Sequence, residues 1–283
     1  MANFTEHLTR AETLNDSMLC VGLDPDPAKF PGSWKDDASR IFDFCATIVD
    51  ATKDLVIAFK PQIAYFAAHR AEEQLERLIA HIHAAAPAVP VILDAKRGDI
   101  GSTAEQYARE VFERYRADAV TLSPFMGFDS IEPYLAYEGK GAILLCRTSN
   151  RGGADLQGQQ LASGETLFEH IARLAQGAWN RSGQLALVVG ATFPAEIERV
   201  RAIAPTLPLL IPGIGAQGGD AGATVRAGWR ADAAGRTTGP IIVSSSRAVL
   251  YASRGENFAE AARAAALAAR LELQQARPGR HAG

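Results

Sequence analysis

Charged side chains are concentrated in the segment that follows one short apolar run of the chain. Residues 94–103 read Asp-Ala-Lys-Arg-Gly-Asp-Ile-Gly-Ser-Thr and come directly after Val-Pro-Val-Ile-Leu. A buried strand end normally carries apolar residues, because an unpaired charge is costly to remove from water. Asp94, Lys96 and Asp99 therefore indicate a functional site at the end of this predicted strand.

The residue types in this cluster limit the chemistry that it can support. It contains no histidine and no cysteine, which disfavours a zinc-bound water, a histidine base and a thiol nucleophile. Carboxylates suit Mg²⁺, but Lys60 and Lys96 among the candidate ligands argue against a metal. Two interpretations remain. One is a lysine general acid held charged by carboxylates, and the other is a structural ion network that pairs Lys60 with Asp94 and Lys96 with Asp99.

A second group of candidate residues lies near the end of the sequence. Residues 212–220 read Pro-Gly-Ile-Gly-Ala-Gln-Gly-Gly-Asp after a seventh apolar run, and Arg247 follows the eighth. Glycines let backbone N–H groups approach an anion closely, and an arginine can form a bidentate contact with phosphate oxygens. Each feature alone fits a flexible turn or a surface arginine, but together they predict a phosphate-binding site.

The elements that must position these residues are short apolar runs that alternate with amphipathic stretches. Each run is continuous, as expected for parallel strands covered on both faces. Eight such units in about 250 residues match a (β/α)8 TIM barrel. An open doubly wound sheet is the alternative, but no Gly-x-Gly-x-x-Gly follows the first run. The runs are Met18–Leu23, Leu55–Phe59, Val89–Leu93, Ala119–Leu122, Ala142–Cys146, Leu185–Val189, Leu209–Ile211 and Ile241–Val243.

Amphipathic stripes predict helices between these strands. Apolar residues within 75–82 follow the i, i+3, i+4, i+7 spacing of a helix face. Ser102 and Glu105 fit a capping box that would begin another helix. An alanine-rich helix is expected over about 256–275, ended by the Arg-Pro-Gly that follows.

No domain boundary is visible, and we expect a single barrel domain over residues 1–283, with its core at about 18–275. The stretches 150–164 and 215–238 are longer than ordinary βα loops. Because they follow the fifth and seventh predicted strands, we expect both at the C-terminal face of the barrel, where lids are found. The tail 277–283 is expected to be disordered.

Composition and charge exclude several classes of protein. The formal net charge of −3 gives no positive field to attract nucleic acid. No run approaches the roughly 18 consecutive apolar residues of a membrane span, and the N-terminal segment lacks the apolar core of a secretory signal. Cys20, Cys45 and Cys146 lie far apart and are expected to be buried thiols in a reducing compartment. We therefore expect a cytoplasmic protein that binds neither nucleic acid nor membranes.

The chain resembles the larger subgroup of the orotidine 5′-phosphate decarboxylase family over residues from about 18 to 250. The signature of that family is a lysine on the second strand followed by Asp-x-Lys-x-x-Asp-Ile at the third. The resemblance implies a (β/α)8 barrel that converts orotidine 5′-monophosphate (OMP) to UMP and CO2 without metal or cofactor, as the last step of de novo pyrimidine nucleotide synthesis. The matching residues are Lys60, Asp94, Lys96, Asp99 and Ile100.

The resemblance also implies a role for each site residue. Lys96 would protonate the product, Asp94 would lie beside the substrate carboxylate, and Lys60 and Asp99 would hold Lys96 in position. It further implies a homodimer in which Asp99 of one chain reaches into the site of the other. The implied substrate-binding residues are Asp24 at the ribose, Ser149 at the pyrimidine, Gln217 between pyrimidine and phosphate, and Arg247 at the phosphate, together with Ile100 and Thr103.

Two alternatives to that activity remain open. Sugar-phosphate decarboxylases and synthases on the same scaffold share Asp-x-Lys-x-x-Asp and use Mg²⁺, but they carry a glutamate near the position of Lys60. A non-catalytic nucleotide-binding barrel would keep the phosphate site without turnover. Sensitivity to EDTA would favour the first alternative, and nucleotide binding without turnover would favour the second.

Overall fold

Eight parallel strands form the barrel that the apolar runs predict, in a computed structural model that describes residues 3–214 and 219–278. The run boundaries agree with the strands to within a few residues; the largest shift is at the third, which ends at Arg97 instead of Leu93. The barrel strands are β1 (Leu19–Leu23), β2 (Ala58–Pro61), β3 (Ile92–Arg97), β4 (Ala119–Leu122), β5 (Gly141–Arg147), β6 (Leu185–Val189), β7 (Leu209–Pro212) and β10 (Ile241–Ser245). A short antiparallel hairpin, β8 (Arg230–Ala231) and β9 (Thr237–Gly239), lies between the last two.

The strand order confirms a barrel and not an open doubly wound sheet. Hydrogen-bonded neighbours follow the order β2-β1-β10-β7-β6-β5-β4-β3. Parallel bridges from Phe59 to Val91 and from Gln62 to Asp94 then join the two ends of this row. Because the strands are parallel and the row closes, the C-terminal ends of all eight strands meet at one face of the molecule.

Helices cover the outside of the barrel. The apolar residues predicted over 75–82 lie in one of them and are buried against the strands. The helices are α1 (Phe4–Asn15), α2 (Ile41–Thr52), α3 (Ile63–Ala67), α4 (Glu72–Ala85), α5 (Gly101–Arg109), α6 (Glu132–Leu135), α7 (Leu167–Gln176), α8 (Pro194–Ile203), α9 (Ala221–Gly228), α10 (Arg247–Leu250) and α11 (Phe258–Gln275). A π-helical turn over Glu110–Arg114 continues α5.

The predicted capping box at Ser102 is wrong. Helix α5 begins at Gly101, and its N-cap residue is Ile100, whose extended backbone leads into the helix without a side-chain cap. Ser102 therefore lies inside the first turn, where its hydroxyl cannot act as an N-cap. The last helix, α11, ends at Gln275 as predicted and begins two residues later than expected.

Helix α1, which the sequence analysis did not predict, packs against the interior side chains at the N-terminal end of the barrel. Phe4, Leu8 and Ala11 are buried in one cluster with inward-facing strand residues such as Cys20 and Ile143. A capping box begins the helix, with Asn3 and Glu6 exchanging backbone-to-side-chain hydrogen bonds of 2.9 and 3.0 Å. The helical spacing of the apolar residues and this Asn-x-x-Glu pair were the signals that could have revealed it.

The stretch 215–238 was expected at the C-terminal face of the barrel, and this is wrong for the part that forms the β8–β9 hairpin. Helix α9 carries the chain back to the N-terminal end of the barrel. There Glu12 of α1 accepts hydrogen bonds from the Trp229 indole and the Thr237 hydroxyl, each at 3.1 Å. The hairpin thus belongs to the end of the barrel opposite the strand C-termini. Residues 215–218 lie outside the described part of the chain.

The C-terminal segment contacts the barrel one residue beyond the point where the disordered tail was expected to begin. Arg277, placed by the sequence analysis in a disordered tail, forms ion pairs with Glu12 at 2.9 Å and with Asp16 at 3.0 Å. Residues 279–283 lie outside the described part of the chain.

The predicted burial of the cysteines is confirmed, since Cys20, Cys45 and Cys146 are all buried and unpaired; the reducing compartment stays a prediction. Burial raises the pKa of the Cys20 thiol to about 12, so that it stays protonated at neutral pH. A bilayer-spanning helix would need greater length and more apolar character than any helix within residues 3–214 and 219–278 has.

Candidate active site

A pocket of about 480 Å³ opens at the C-terminal ends of the strands. This volume is in the range of small-ligand sites. Its lining combines polar and charged groups with the apolar side chains of Leu145, Val188 and Leu210. Of the residues predicted for the site, the pocket brings together Asp24, Lys60, Asp94, Lys96, Ser149 and Arg247.

Asp94 is the centre of a buried charge cluster in this pocket. Its Oδ2 accepts a hydrogen bond from Lys60 Nζ at 3.2 Å, and its Oδ1 accepts one from Lys96 Nζ at 2.7 Å. The Lys60 side chain is only 7% exposed, whereas that of Lys96 is 48% exposed. Both lysines therefore share one carboxylate, which differs from the ion network considered above. Both line the pocket, and the Lys96 side chain is the more accessible of the two.

The charges of this cluster are stabilised mutually. Burial alone would raise the pKa of Asp94, but the lysines Lys60 and Lys96 and the hydrogen bonds to the carboxylate hold it well below its usual range. Burial alone would lower the pKa of Lys60, but the carboxylates of Asp94 and Asp24 raise it above its usual value. Asp94 is therefore ionised and Lys60 protonated at neutral pH, and neither charge is left uncompensated.

The backbone beneath this cluster departs from regular strand geometry. Leu93 pairs with Val120 and Arg97 with Leu122, so that residues 94–96 of β3 lie opposite a single residue of β4. Lys96 has a left-handed backbone conformation with φ of +46°, which is uncommon for a residue with a side chain. Strained backbone of this kind is found at functional sites and needs support from the surrounding structure.

Thr121 lies opposite this irregular segment, and the sequence analysis missed it. Its hydroxyl oxygen accepts hydrogen bonds from the backbone N–H groups of Ala95 and Lys96, both at 3.0 Å, and its proton is donated to Asp94 Oδ1 at 2.8 Å. It is the one polar residue in the apolar run Ala119–Leu122, which was the only sequence signal available.

Asp24 lies at the end of β1 with part of its carboxylate unused. Among the described residues, no hydrogen-bond donor reaches its buried Oδ1. The loop that carries it is held by Tyr251, whose hydroxyl donates to the Asp24 carbonyl at 2.8 Å and accepts from the Asp26 N–H at 2.7 Å. A fixed backbone and a free carboxylate oxygen suit a ligand that donates a hydrogen bond, such as a sugar hydroxyl.

Arg247 and Ser149 lie on the same pocket. Arg247 is exposed at the start of α10, directly beyond the end of β10, and Ser149 follows β5. Gly213, at the end of β7, lines the pocket as well and has φ of +105°, a conformation that glycine adopts readily. Gln217, predicted to bridge pyrimidine and phosphate, lies outside the described residues.

Three predicted site residues are not in the pocket of their own chain. Asp99 lies beyond the end of β3, and its Oδ1 accepts a hydrogen bond from the N–H of Ile100 at 2.9 Å. Ile100 is 53% exposed, and Thr103 is exposed on α5, beside a separate surface depression. The structure therefore joins Lys60, Asp94 and Lys96 into one cluster and leaves the segment Asp99–Thr103 at the surface.

No metal-binding arrangement is evident in the part of the chain that is described. Nowhere in residues 3–214 and 219–278 do three His, Cys, Asp or Glu side chains come together as ligands of a metal ion would. Independence from metals and cofactors stays a prediction for experiment.

Comparison with known proteins gives a consistent result. The model of the Orotidine 5'-phosphate decarboxylase / HUMPS family matches residues 17–264. Proteins called orotidine 5'-phosphate decarboxylase from Leptothrix cholodnii and Methylibium petroleiphilum are 75% and 73% identical to this chain, over 97% of it and 98% and 100% of their own lengths. The solved structure of Leishmania donovani OMP decarboxylase superimposes with a TM-score of 0.83 at 36% identity, covering 97% of this chain and 98% of its own.

Proposed function

Because the chain belongs to the Orotidine 5'-phosphate decarboxylase / HUMPS family, we propose that its barrel converts OMP to UMP and CO2 in pyrimidine nucleotide synthesis. The observation that carries the proposal is the pair of lysines on one buried carboxylate, with the exposed lysine facing the pocket. This arrangement provides a fixed negative charge and a mobile proton side by side. In a decarboxylation, the negative charge would repel the substrate carboxylate, and the lysine would stabilise the carbanion and supply the proton that replaces CO2.

The phosphate, ribose and pyrimidine of OMP would occupy different parts of the pocket. Arg247 would bind the phosphate with its guanidinium group, and the unused Asp24 oxygen would accept a hydrogen bond from a ribose hydroxyl. Ser149 would contact the pyrimidine. These contacts are remote from the reacting carbon, and the binding energy that they supply fixes the substrate carboxylate beside Asp94.

The chemical step follows from the two charges at the cluster. Two carboxylates about 4 Å apart repel each other by about 4 kcal/mol at an effective dielectric constant of 20, and the repulsion is relieved as CO2 leaves. The bond between C6 and the carboxylate breaks, and its electron pair stays on C6. The Lys96 ammonium group stabilises this carbanion and then transfers a proton to C6, which forms UMP. Lys96, half exposed, regains its proton from solvent.

We also propose that the functional unit is a homodimer in which Asp99 completes the site of the partner subunit. Asp99 lies outside its own pocket, next to Ile100 in the chain. Ile100 is one of three exposed apolar residues in two loops: Ile100 is 53%, Phe125 75% and Met126 41% exposed. The loops that carry them adjoin, since the Ser123 N–H donates to the Arg97 carbonyl at 2.8 Å. A patch of this kind, used by both copies about a two-fold axis, would bring each Asp99 toward the other chain.

The test of the proposed function is turnover of OMP by purified protein in EDTA, followed by the loss of OMP absorbance and by CO2 release. We expect full activity without added metal. Orotidine, which lacks the phosphate that Arg247 would bind, should be turned over far more slowly. Activity that appears only with Mg²⁺ would favour the related sugar-phosphate enzymes, and tight UMP binding without turnover would favour a non-catalytic barrel.

A further inference from the structure

We propose that Thr121 is a positioning residue whose hydroxyl holds Lys96 and Asp94 in their reactive arrangement. The inference rests on the proposed function, because it assigns a task to a residue that supports the lysine and the carboxylate of that reaction. It arises from the irregular pairing of β3 with β4.

The pairing leaves two backbone N–H groups of β3 without their usual partners. In a regular parallel ladder, Asp94 and Ala95 would pair with successive residues of β4. Here three residues, Asp94 to Lys96, lie opposite Thr121 alone, and the ladder resumes only at Arg97. In this irregular segment, the N–H groups of Ala95 and Lys96 both donate to the Thr121 hydroxyl.

The hydroxyl also connects the backbone to the charge cluster. A hydroxyl has two acceptor sites and one donor, and Thr121 uses all three: two for the backbone and one for Asp94 Oδ1. That same oxygen of Asp94 accepts the bond from Lys96 Nζ. The Thr121 hydroxyl thus holds Lys96 in two ways. It binds the Lys96 amide directly, and it holds the Asp94 carboxylate that binds the Lys96 ammonium group.

This connection explains how an unfavourable backbone conformation is kept at the catalytic lysine. Lys96 has φ of +46°, and such a conformation persists only where neighbouring groups determine it. Thr121 borders the pocket but is only 1% exposed, so its hydroxyl is largely shielded from water. Without the hydroxyl, the segment would relax and the Lys96 ammonium group would lose its fixed place above the reacting carbon.

The experiment compares Thr121→Val, which keeps the shape and removes the hydroxyl, with Thr121→Ser, which keeps the hydroxyl. Thr52→Val is the matched control, because Thr52 is also fully buried and its hydroxyl donates to the Ile48 carbonyl in α2, away from the pocket. For each protein we measure kcat for OMP, affinity for UMP, and hydrogen exchange of the Ala95 and Lys96 amides.

We expect Thr121→Val to lower kcat by about 10- to 100-fold, as the loss of several buried hydrogen bonds at a reacting group implies. Its affinity for UMP should change by less than about threefold, because the phosphate and ribose contacts are intact. The Ala95 and Lys96 amides should exchange about tenfold faster or more in this variant alone. Thr121→Ser and Thr52→Val should stay within about threefold of the wild type in every measurement.

Three results would overturn the assignment: a Thr121→Val enzyme with unchanged kcat, a Thr121→Ser enzyme that is impaired equally, or a loss of UMP affinity that parallels the loss of kcat. A wild-type protein that does not turn over OMP would contradict the proposed function instead. In that case, amide exchange still decides whether the Thr121 hydroxyl anchors the irregular segment.

Discussion

At the scale of single residues, the two lysines of the cluster share one carboxylate and have different surroundings. Lys60 is buried against Asp94, within the electrostatic reach of Asp24, whereas Lys96 is half exposed to the pocket. The buried lysine neutralises carboxylate charge that would otherwise be costly, and the exposed lysine is available for chemistry. A lysine can therefore contribute to stability or to proton transfer according to its burial alone.

This difference predicts that the same substitution costs much more stability at Lys60 than at Lys96. Lys60→Met should lower the free energy of unfolding by about 2 kcal/mol or more, because it leaves buried carboxylate charge undercompensated. Lys96→Met should change it by less than about 1 kcal/mol, because the Lys96 side chain is half exposed, yet it should abolish turnover. Urea denaturation of both variants measures the contrast. Equal losses of stability would show that burial does not separate the two roles.

At the scale of elements, Arg201 fixes the end of the barrel opposite the pocket. It is 1% exposed on α8, and its guanidinium group donates to the carbonyls of Leu207 and Gly228 at 2.7 Å and of Ala204 at 3.0 Å. A further bond of 3.2 Å reaches Gly239 at the end of β9. One side chain therefore ties together the ends of α8 and α9 and the β8–β9 hairpin.

Removal of this side chain should be strongly destabilising. Arg201→Met leaves several buried carbonyls without donors, and we expect the free energy of unfolding to fall by about 3 kcal/mol or more. Arg199→Met is the matched control in the same helix, since the Arg199 side chain is 61% exposed and its partner Glu169 keeps the hydrogen bonds from the Thr166 N–H and hydroxyl; its cost should be below about 1 kcal/mol. Similar unfolding midpoints in urea for the two variants would contradict this account of Arg201.

The elements also show how far the sequence predicts the site. Lys60, Asp94 and Lys96 could be predicted together, because the ends of parallel strands converge in a barrel and charges there are conspicuous. Thr121 could not, because a threonine inside an apolar strand is also an ordinary strand former, and its role depends on three residues of β3 lying opposite one of β4. The β8–β9 hairpin was misplaced because a stretch rich in glycine and alanine does not reveal at which end of the barrel it lies.

At the scale of the whole molecule, the proposed dimer would complete each site with Asp99 of the other chain. The Asp99 carboxylate does not line the pocket of its own chain, so that under this proposal the complete charge cluster requires a second copy of the chain. The catalytic unit is then the dimer, and each pocket would combine Lys60, Asp94 and Lys96 of one subunit with Asp99 of the other.

Mixed dimers test this arrangement and the chemistry together. Lys96→Ala and Asp99→Ala chains carrying different affinity tags are coexpressed, and the heterodimer is isolated by two successive affinity steps. In a heterodimer with shared sites, one pocket carries both substitutions and the other carries neither. No wild-type chain is present, so that chain exchange during the assay can only form the two parent homodimers.

The decisive measurement is OMP decarboxylation by this heterodimer in EDTA, beside its two parents. We expect both parents to be severely impaired and the heterodimer to recover up to about half of the wild-type activity per dimer, which corresponds to one intact site. A verified heterodimer that remains as inactive as its parents would contradict the shared site and show that Asp99 acts within its own chain.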